Sequence, residues 1–339
     1  MKNSTYIIAE VGINHNGDIA IAKEMILAAK DCGADCVKFQ TFKAEEFVSD
    51  PKQTYTYKSQ GKEVTESMLE MFKRYQFSEA EWIEIVAFCR NNNIKFSSTA
   101  QNHSDLIFLM SICDLPFIKV GSDDLTNVQL LKEYAKYGKK MIISAGMAYA
   151  SEIEDAIEAV RSVGNNNITI LHCVSSYPAL AEEVNLKKIP TIKNSFDVEV
   201  GYSDHTIGSA AAVGAVCFGA EVIEKHFTLD HNMLGPDHWF ASDTNELKQY
   251  ILDIRSIENC IGISKLSPSE KELQMRKIAR RKMVAIRNLQ EGHIVQEKDI
   301  DFKRAEGEGM PPKYRDFLLN RKLKVSKKKN EVLSLKDFE

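Results

Sequence analysis

Eight short apolar runs alternate along this chain with longer amphipathic segments, and that alternation restricts the possible fold more than any other feature. The runs lie at residues 6–10, 36–40, 94–98, 117–121, 141–144, 168–172, 198–203 and 222–226. Strands that alternate with helices form parallel sheets, and eight such units can close into a barrel. We therefore predict an α/β protein with a (β/α)8 TIM barrel, whose chemistry lies at the C-terminal ends of the strands.

The segments between the runs carry signals of helix starts. A serine three residues before a glutamate has the spacing of a capping box. Two such pairs occur, Ser78 with Glu81 and Ser151 with Glu154. The connection at residues 50–77 is long and polar, and we predict a short helix near 66–74 within it. A functional loop and a plain surface excursion both fit this connection.

The length of the chain leaves room for a second domain. A (β/α)8 barrel takes roughly 250 residues, whereas this chain has 339. The pattern changes near residue 262, after which short apolar pieces are separated by glycines and a Pro-Pro pair. We predict a TIM-barrel domain at 1–262, a linker at 263–281 and a small, turn-rich β domain at 282–339.

Composition excludes several functional classes. A net charge of -4 and a pI near 6.1 argue against nucleic-acid binding. No apolar run reaches the roughly 18 residues of a membrane span, and the N-terminus has no signal-peptide pattern. The seven cysteines are an odd number in apolar contexts. They predict reduced thiols and a cytoplasmic protein.

Two histidines follow neighbouring strands of the predicted barrel. His205 comes after the seventh run and His226 ends the eighth. Adjacent strands lie about 4.8 Å apart, so both imidazoles can reach one metal ion. Two ligands leave positions open for substrate, which suits Lewis-acid catalysis. Histidines that bond to loop carbonyls fit the positions equally well.

Two lysines at strand ends point to an anion site. Lys38 and Gln40 are two residues apart on a strand and share one face. Lys119 would join them, together with the hydroxyls of Ser122, Ser144 and Ser203. Because an unpaired buried charge is costly, the lysines need a phosphate, a carboxylate ligand, or a salt bridge with Glu10 or Glu224. These possibilities are compatible with one another.

Asp237 follows a Gly-Pro pair in the loop after the eighth run. A rigid turn of this type aims the next side chain reproducibly. Binding of sugar hydroxyls and a plain surface turn both fit, and the short motif alone favours the turn.

Five motifs, in order and at fitting spacing, make the chain similar to the sialic acid synthase family. They are residues 10–17 (EVGINHNG), 37–41 (VKFQT), 201–206 (GYSDHT), 224–228 (EKHFT) and 235–238 (GPDH). The chain after Arg280 resembles the antifreeze-like (SAF) domain of that family, including Lys303 and Arg304.

The resemblance implies a reaction. The family condenses phosphoenolpyruvate (PEP) with an N-acetylated mannose-type sugar, which gives a nine-carbon 2-keto acid and phosphate. It implies a divalent metal, Mn²⁺ first, with Mg²⁺ or Co²⁺ as alternatives, and a homodimer with a swapped C-terminal domain. N-acetylmannosamine, which gives N-acetylneuraminate, is the expected sugar. The alternative is a legionaminic acid synthase that uses a 2,4-diacetamido-6-deoxy sugar.

The resemblance also implies roles for residues of this chain. His205 and His226 would hold the metal, and Glu10, Glu224 and His205 would be catalytic. PEP would be held by Lys38, Lys119, Ser122, Ser144 and Ser203. The sugar would contact Gln40, Thr99, Ser175, Tyr177 and Asp237 of the same barrel. Arg304 of the partner subunit would also reach it.

Some positions depart from the family pattern. They are Gln101, Asp123, Ser175 and Glu306. Asp123 places an extra carboxylate near the expected anion site, where it would repel substrate unless it points away. These departures bear on which sugar is used.

Two rival interpretations fit parts of the sequence. One is a Schiff-base aldolase with Lys38 or Lys119 as nucleophile, which needs a lysine of lowered pKa. Neighbouring carboxylates would favour the charged form of both lysines. The other is a non-catalytic sugar- or ice-binding protein, which has no use for histidines and lysines at the strand ends.

Overall fold

The computed structural model describes residues 4–339. The chain separates into two compact units, Met1–Gly262 and Ile263–Glu339. The strands are β1 Tyr6–Gly12, β2 Cys36–Thr41, β3 Thr54–Ser59, β4 Lys62–Ser67, β5 Lys95–Ala100, β6 Ile118–Val120, β7 Met141–Ser144, β8 Ile168–Cys173, β9 Glu199–Asp204, β10 Val222–His226, β11 Lys282–Ala285 and β12 Ile300–Lys303. The helices are α1 Ile19–Cys32, α2 Ala44–Phe47, α3 Met68–Tyr75, α4 Glu79–Asn91, α5 His103–Ile112, α6 Val128–Ala135, α7 Ala150–Arg161, α8 Ala181–Val184, α9 Lys188–Phe196, α10 Ala210–Cys217, α11 Thr244–Ile261 and α12 Glu270–Ala279.

Eight of the strands form a closed barrel in the order β1-β10-β9-β8-β7-β6-β5-β2. All neighbours are parallel, and each strand corresponds to one of the eight apolar runs. Strands of such a barrel are covered on both faces, so their sequences are apolar almost throughout. The predicted TIM barrel is confirmed. Within the described chain, no helix is long and apolar enough to cross a membrane.

The interior of the barrel has an apolar floor below a polar layer. The floor is a cluster of buried side chains, Ile8, Cys36, Phe117, Ile142, Leu171 and Val222. Residues two positions further along a strand lie on the same face. Glu10, Lys38, Ser144, Cys173 and Glu224 therefore stand directly above the floor, and all of them are buried. The alternation of the strands thus places these polar groups inside the barrel.

The helices pack their apolar faces against the outside of the barrel. Of the two helix starts predicted from capping boxes, one is wrong. Ser78 and Glu81 form the expected capping box at α4. Helix α7 begins at Ala150, earlier than Ser151 with Glu154 would place it. Its capping glutamate is Glu152, whose carboxylate accepts from the Tyr149 backbone N–H at 2.7 Å.

The long connection after β2 contains a β-hairpin that the sequence did not reveal. Strands β3 and β4 pair antiparallel through a turn at Gln60 and Gly61, both with positive φ. Tight hairpins use such a turn because its twist matches that of the strands. Helix α3 follows directly, where the short helix was predicted. Glu66 joins hairpin and helix, because it accepts from Tyr57 and forms a two-bond ion pair with Arg74.

The C-terminal unit has a separate small core. Strands β11 and β12 form an antiparallel pair, and short turns make up most of the remainder. Its buried cluster is Met283, Ala285, Leu289, Val295, Ile300, Leu318, Leu323, Leu333 and Phe338. Helix α12 buries none of its side chains. The unit is turn-rich as predicted, and its likeness to an antifreeze-like domain stays a prediction.

Candidate active site

A cavity of about 1080 Å³ opens at the C-terminal ends of the barrel strands. It is lined by the predicted residues Glu10, Lys38, Gln40, Thr99, Lys119, Ser122, Ser144, Ser175, Tyr177, Ser203, His205, Glu224, His226 and Asp237. Arg304 lies in the C-terminal unit, where its Nε donates to the Ala279 carbonyl at 3.1 Å. One barrel therefore brings together every residue proposed from the sequence except Arg304.

Two lysines and two glutamates form a buried cluster of compensated charge. Lys38 Nζ lies 2.6 Å from Glu10 Oε2 and 3.5 Å from Glu224 Oε2. Lys119 Nζ lies 3.8 Å from Glu224 Oε1. Ser203 Oγ donates to that same oxygen at 2.9 Å. The internal salt bridge considered as an alternative is therefore present, and it holds both ammonium groups beside open space.

Hydroxyl groups complete the surroundings of both lysines. Lys38 Nζ donates to Thr99 Oγ1 at 2.9 Å, and Lys119 Nζ donates to Ser144 Oγ at 2.8 Å. Thr99 thus contacts the lysine cluster as well as the cavity where the sugar was expected. Ammonium and hydroxyl donors around an open cavity are suited to a phosphate or a carboxylate.

The two glutamates have pKa values that differ in direction. Burial raises the pKa of Glu10 to about 7, although Lys38 opposes the rise. Burial alone would also raise the pKa of Glu224. The positive charges of Lys119 and Lys38 outweigh burial, so the pKa of Glu224 is lowered. Such a pair can keep one carboxylate ionised while the other exchanges a proton near neutral pH.

The orientation of the Glu10 side chain depends on a register shift in β1. The register between β1 and β2 shifts between Glu10 and Gly12. Gly12 has φ +54°, a conformation that favours glycine. Gln40 Nε2 donates to Glu10 Oε1 at 3.4 Å. Lys38 and Gln40 therefore lie on the same face of β2, as predicted, and both contact the Glu10 carboxylate.

The lysines differ from each other, which the sequence interpretation did not foresee. Burial disfavours the charged form of Lys38, but Glu10 and Glu224 outweigh burial and raise its pKa. For Lys119 burial prevails and lowers the pKa. The nearby carboxylates favour the charged form of both lysines, as expected. For Lys119 they do not outweigh burial, because it has one carboxylate at 3.8 Å where Lys38 has two that lie closer.

The two predicted metal ligands, His205 and His226, lie side by side at the cavity. The ring centroids of His205 and His226 lie 5.5 Å apart. His205 Nδ1 donates to the Val174 carbonyl at 2.7 Å, which fixes the ring and leaves Nε2 unprotonated and able to bind a metal ion. His226 Nδ1 is buried without a hydrogen-bond partner in residues 4–339 and lies 3.5 Å from Asp237 Oδ2. Burial lowers the pKa of both imidazoles, and neutral imidazole is the form that binds metal.

Asp237 lines the cavity, so it is not the plain surface turn that its motif alone favoured. Burial raises its pKa to about 7. The turn is fixed from behind by His238, which pairs with Thr228 Oγ1 at 2.7 Å and Asn16 Oδ1 at 3.1 Å. Gly235 has φ +148°, and a Cβ there would lie 2.8 Å from the His238 ring. Asn16, which belongs to the motif at residues 10–17, thereby helps to position the motif at residues 235–238.

Gly146 and Cys173 belong to the site and were missed. Ser122 Oγ accepts from the Gly146 N–H at 2.9 Å. A Cβ on Gly146 would lie 2.7 Å from that oxygen and 2.3 Å from Ser175 Oγ, so glycine keeps this space open. Cys173 follows Leu171 by two residues on β8, and strand alternation was the signal that could have found it. Asp123 also lines the cavity, with an exposed side chain.

The hairpin and the loop after β10 form a wall at the open end of the cavity. Lys58 Nζ lies 4.6 Å from the centre of the Trp239 ring. The Gly235 N–H donates to Ser59 Oγ at 3.2 Å, which ties the hairpin to the loop. We call Tyr55, Tyr57 and Trp239, which all line the cavity, the aromatic rim.

A second group of possible metal ligands lies elsewhere, at the start of α11. Ligand atoms of His231, Asp243 and Glu246 come within 4.8 Å of one another. The two carboxylates already accept backbone N–H groups in the capping box of the helix. The positive end of a helix dipole also disfavours a cation. This group is therefore explained as a helix cap.

Comparison with known proteins places the chain in a family. The model of the NeuB family matches residues 25–265. The chain belongs to the NeuB family. It is 39% identical to the N,N'-diacetyllegionaminic acid synthase of Campylobacter jejuni, over 93% of this chain and 94% of that protein. It is 34% identical to the human N-acetylneuraminate-9-phosphate synthase, over 98% of this chain and 92% of that protein.

A solved structure agrees with this membership. The N-acetylneuraminic acid synthetase of Leptospira borgpetersenii superposes with a TM-score of 0.72 at 33% identity, over 83% of this chain and 94% of that chain. The predicted likeness to the sialic acid synthase family is thereby confirmed. The named relatives in the NeuB family are synthases of different sugar acids, so membership alone leaves the sugar open.

Proposed function

We propose that this NeuB-family chain is a PEP-condensing synthase that joins PEP to an N-acetylated mannose-type sugar, releasing a nine-carbon 2-keto acid and phosphate. One observation carries the proposal. The compensated cluster of Lys38, Lys119, Glu10 and Glu224 lies in the same cavity as the neutral His205 and His226 pair.

The lysine cluster is suited to hold PEP. Lys38 and Lys119 present ammonium groups, and Ser122, Ser144 and Ser203 present hydroxyls to the same cavity. The glutamates hold these cations in place before substrate arrives, so little reorganisation accompanies binding. Donors fixed in advance stabilise developing charge more than mobile ones.

The histidine pair is suited to hold a divalent ion. His205 and His226 would supply imidazole nitrogens, with the Asp237 carboxylate beside them. When bound, the ion polarises the sugar aldehyde as a Lewis acid. Mn²⁺ is the ion we propose, because the resemblance to the sialic acid synthases implies it and because carboxylate and water oxygens suit it. Mg²⁺ and Co²⁺ are the alternatives.

The condensation balances with the groups present. Carbon 3 of PEP attacks the aldehyde carbon, and its electron pair leaves carbon 2 electron-poor. Water adds to carbon 2, and Glu10 accepts a proton of that water. The bond from carbon 2 to the bridging oxygen then breaks, and phosphate departs with that oxygen and with the proton of the new carbon 2 hydroxyl, which leaves the ketone. The proton that Glu10 accepted passes to the former aldehyde oxygen, which becomes a hydroxyl. Glu224 stays ionised and remains the carboxylate partner of Lys38 and Lys119.

For the sugar we favour the 2,4-diacetamido-6-deoxy compound over N-acetylmannosamine, which reverses the order expected from the sequence and keeps N-acetylmannosamine as the alternative. The chain is more similar to the legionaminic acid synthase named above than to the human N-acetylneuraminate-9-phosphate synthase. The aromatic rim offers ring faces at the open end of the cavity. Acetamido and deoxy methyl groups pack on such faces better than hydroxyl groups do.

Replacing Trp239 by alanine tests this choice of sugar. We expect the KM for the diacetamido sugar to rise about tenfold, which is about 1.4 kcal/mol of lost contact, while the KM for PEP stays the same. Phe218→Ala, which removes a partly exposed aromatic outside the cavity, serves as control. Equal effects on both sugars in steady-state assays would contradict the rim as the specificity element.

Replacing Gly146 by alanine tests the PEP site. The added Cβ would come within 2.7 Å of Ser122 Oγ and 2.3 Å of Ser175 Oγ. We expect PEP affinity to fall about a hundredfold, or about 2.7 kcal/mol, because both hydroxyls must shift. Isothermal titration with PEP measures this, and thermal unfolding of the Gly146→Ala variant reports its stability separately. Unchanged PEP affinity would place the anion elsewhere.

We also propose a homodimer in which Arg304 of the partner subunit reaches the sugar. Large apolar side chains on the loops after β7, β9 and β10 are exposed around the open end of the barrel. They include Met147, Tyr149, Ile207 and Leu234. Apolar groups concentrated in this way are typical of a covered surface.

Mixing two inactive variants tests the shared site. His226→Ala loses the metal site, and Arg304→Ala loses the partner's contribution. If Arg304 acts on the partner's barrel, a mixed dimer contains one site with both changes and one intact site. We expect activity to reappear after subunit exchange, up to about a quarter of wild type for statistical mixing. Continued inactivity with mixed dimers verified by mass spectrometry would contradict the swap.

The reaction is tested by phosphate release from PEP with Mn²⁺, using each of the two sugars with and without a chelator. Chelator-sensitive release with the diacetamido sugar supports the proposal, and release with N-acetylmannosamine alone supports the alternative. Trapping of a lysine adduct by borohydride would favour the Schiff-base aldolase. Absence of release with either sugar would contradict this function.

A further inference from the structure

A buried ion pair outside the barrel wall connects the strands that carry the two histidines. Asp204 on β9 and Lys225 on β10 are paired neighbours in the sheet. Asp204 is fully buried and Lys225 is 2% exposed. Successive side chains of a strand point to opposite faces. Because Ser203, Glu224 and His226 line the cavity, Asp204 and Lys225 lie on the outer face, beneath the helices.

Every polar atom of this pair is engaged. Asp204 Oδ1 accepts from the N–H and Oγ1 of Thr206, at 2.8 and 2.7 Å. Asp204 Oδ2 accepts from Tyr250 OH on α11 at 2.8 Å and lies 3.5 Å from Lys225 Nζ. Lys225 Nζ also donates to the Thr206 carbonyl. The bonds therefore enclose the one residue between Asp204 and Thr206, which is His205.

The same pair also fixes the other histidine. Lys225 immediately precedes His226, and its ammonium is held by Asp204 and Thr206 from the neighbouring strand. Lys225 Nζ further lies 5.3 Å from the centre of the Tyr250 ring. Movement of one strand end relative to the other would break these contacts. The separation of the two imidazoles therefore depends on groups that never touch the cavity.

Stability alone does not account for this arrangement. Burying a lysine and an aspartate costs desolvation, and apolar replacements of buried ion pairs are often neutral or stabilising. We propose that Asp204, Lys225 and Tyr250 are positioning residues for His205 and His226, and that they set the affinity for the divalent ion. The inference rests on the proposed metal site. Partners behind metal ligands typically contribute about 10- to 100-fold to metal affinity.

The test is Mn²⁺ binding to full-length protein, measured by titration with electron paramagnetic resonance of the free ion. The double variant Asp204→Asn with Lys225→Met removes both charges and keeps the side-chain volumes similar. We expect its Kd for Mn²⁺ to rise about 10- to 100-fold. The control is Lys140→Met with Glu199→Gln, a more exposed ion pair at the opposite, N-terminal ends of β7 and β9, which flank β8. It should leave the Kd unchanged.

A milder variant covers the possibility that the double variant does not fold. Tyr250→Phe removes one hydroxyl donor and retains the ring, and we expect a smaller rise in the Kd, about three- to tenfold. Circular dichroism and thermal unfolding without metal report stability separately. A Kd within twofold of wild type, in a folded double variant or in Tyr250→Phe, would overturn the inference.

The result also separates this inference from the proposed function. Wild-type protein that binds no Mn²⁺, Mg²⁺ or Co²⁺ would overturn both the metal site and the positioning role. Wild-type protein that binds Mn²⁺, with variants that bind it equally well, would overturn the positioning role alone.

Discussion

Replacing Glu10 by glutamine is expected to lower kcat about 10²- to 10⁴-fold, the usual range for loss of a general base. The KM for PEP should change less, because Lys38 keeps Glu224 as a partner at 3.5 Å. Glu63→Gln, which changes another carboxylate that lines the cavity, is the matched control. Full turnover by Glu10→Gln would rule out Glu10 as the base.

The pH profile of kcat/KM separates a proton-transfer role from a structural one. Glu10 faces Lys38, Lys119, Glu224 and the Gln40 amide, and its pKa is raised to about 7. A base must be ionised, so activity is lost as the pH falls through about 7 and is full above it. The wild-type profile should fall tenfold per pH unit on the acid side. The pH profile of the residual activity of Glu10→Gln should not show this fall on the acid side.

Removal of the divalent ion is expected to abolish turnover. Polarisation of a carbonyl by a metal contributes several kcal/mol, so we expect a loss of about 10³-fold or more. Added Mn²⁺ should restore the wild type after chelation. It should not restore His226→Ala at the same concentration, because one imidazole ligand is gone.

His231→Ala is the control for the metal experiment. His231 belongs to the other group of possible ligands, at the start of α11. Its variant should remain active and sensitive to chelator. If His231→Ala lost activity and His226→Ala retained it, the functional ion would be bound at α11.

The sequence predicted those parts of the site that depend on strand periodicity. Apolar runs located the eight strands, and residues at their ends or two positions above the apolar floor had to face one cavity. Lys38, Glu10 and Glu224 were found in this way, and the cavity contains all three. His205 and His226 were found because they follow neighbouring strands, and their rings lie 5.5 Å apart.

The remaining features of the site depend on contacts between segments that are far apart in the sequence. The periodicity of a strand does not predict such contacts. Gly146 matters because Ser122 and Ser175 converge on the space where its side chain would be. Asp237 is half-buried at the cavity, in a turn that Asn16, far away in the chain, holds through His238. The hairpin at Thr54–Ser59 and Lys62–Ser67 is mostly exposed, so it lacks the apolar alternation that reveals strands. The different pKa directions of Lys38 and Lys119 follow from distances to carboxylates that only the fold determines.

The most direct test of the central claim follows the bridging oxygen of PEP. In the proposed condensation, water adds to carbon 2 and the bond from carbon 2 to the bridging oxygen breaks. PEP labelled with ¹⁸O at that position should therefore give phosphate that carries the label, as measured by mass spectrometry or ³¹P NMR. Because phosphate does not exchange its oxygens with water under these conditions, the label is preserved. Release of unlabelled phosphate, which means cleavage between phosphorus and the bridging oxygen, would contradict the proposed condensation.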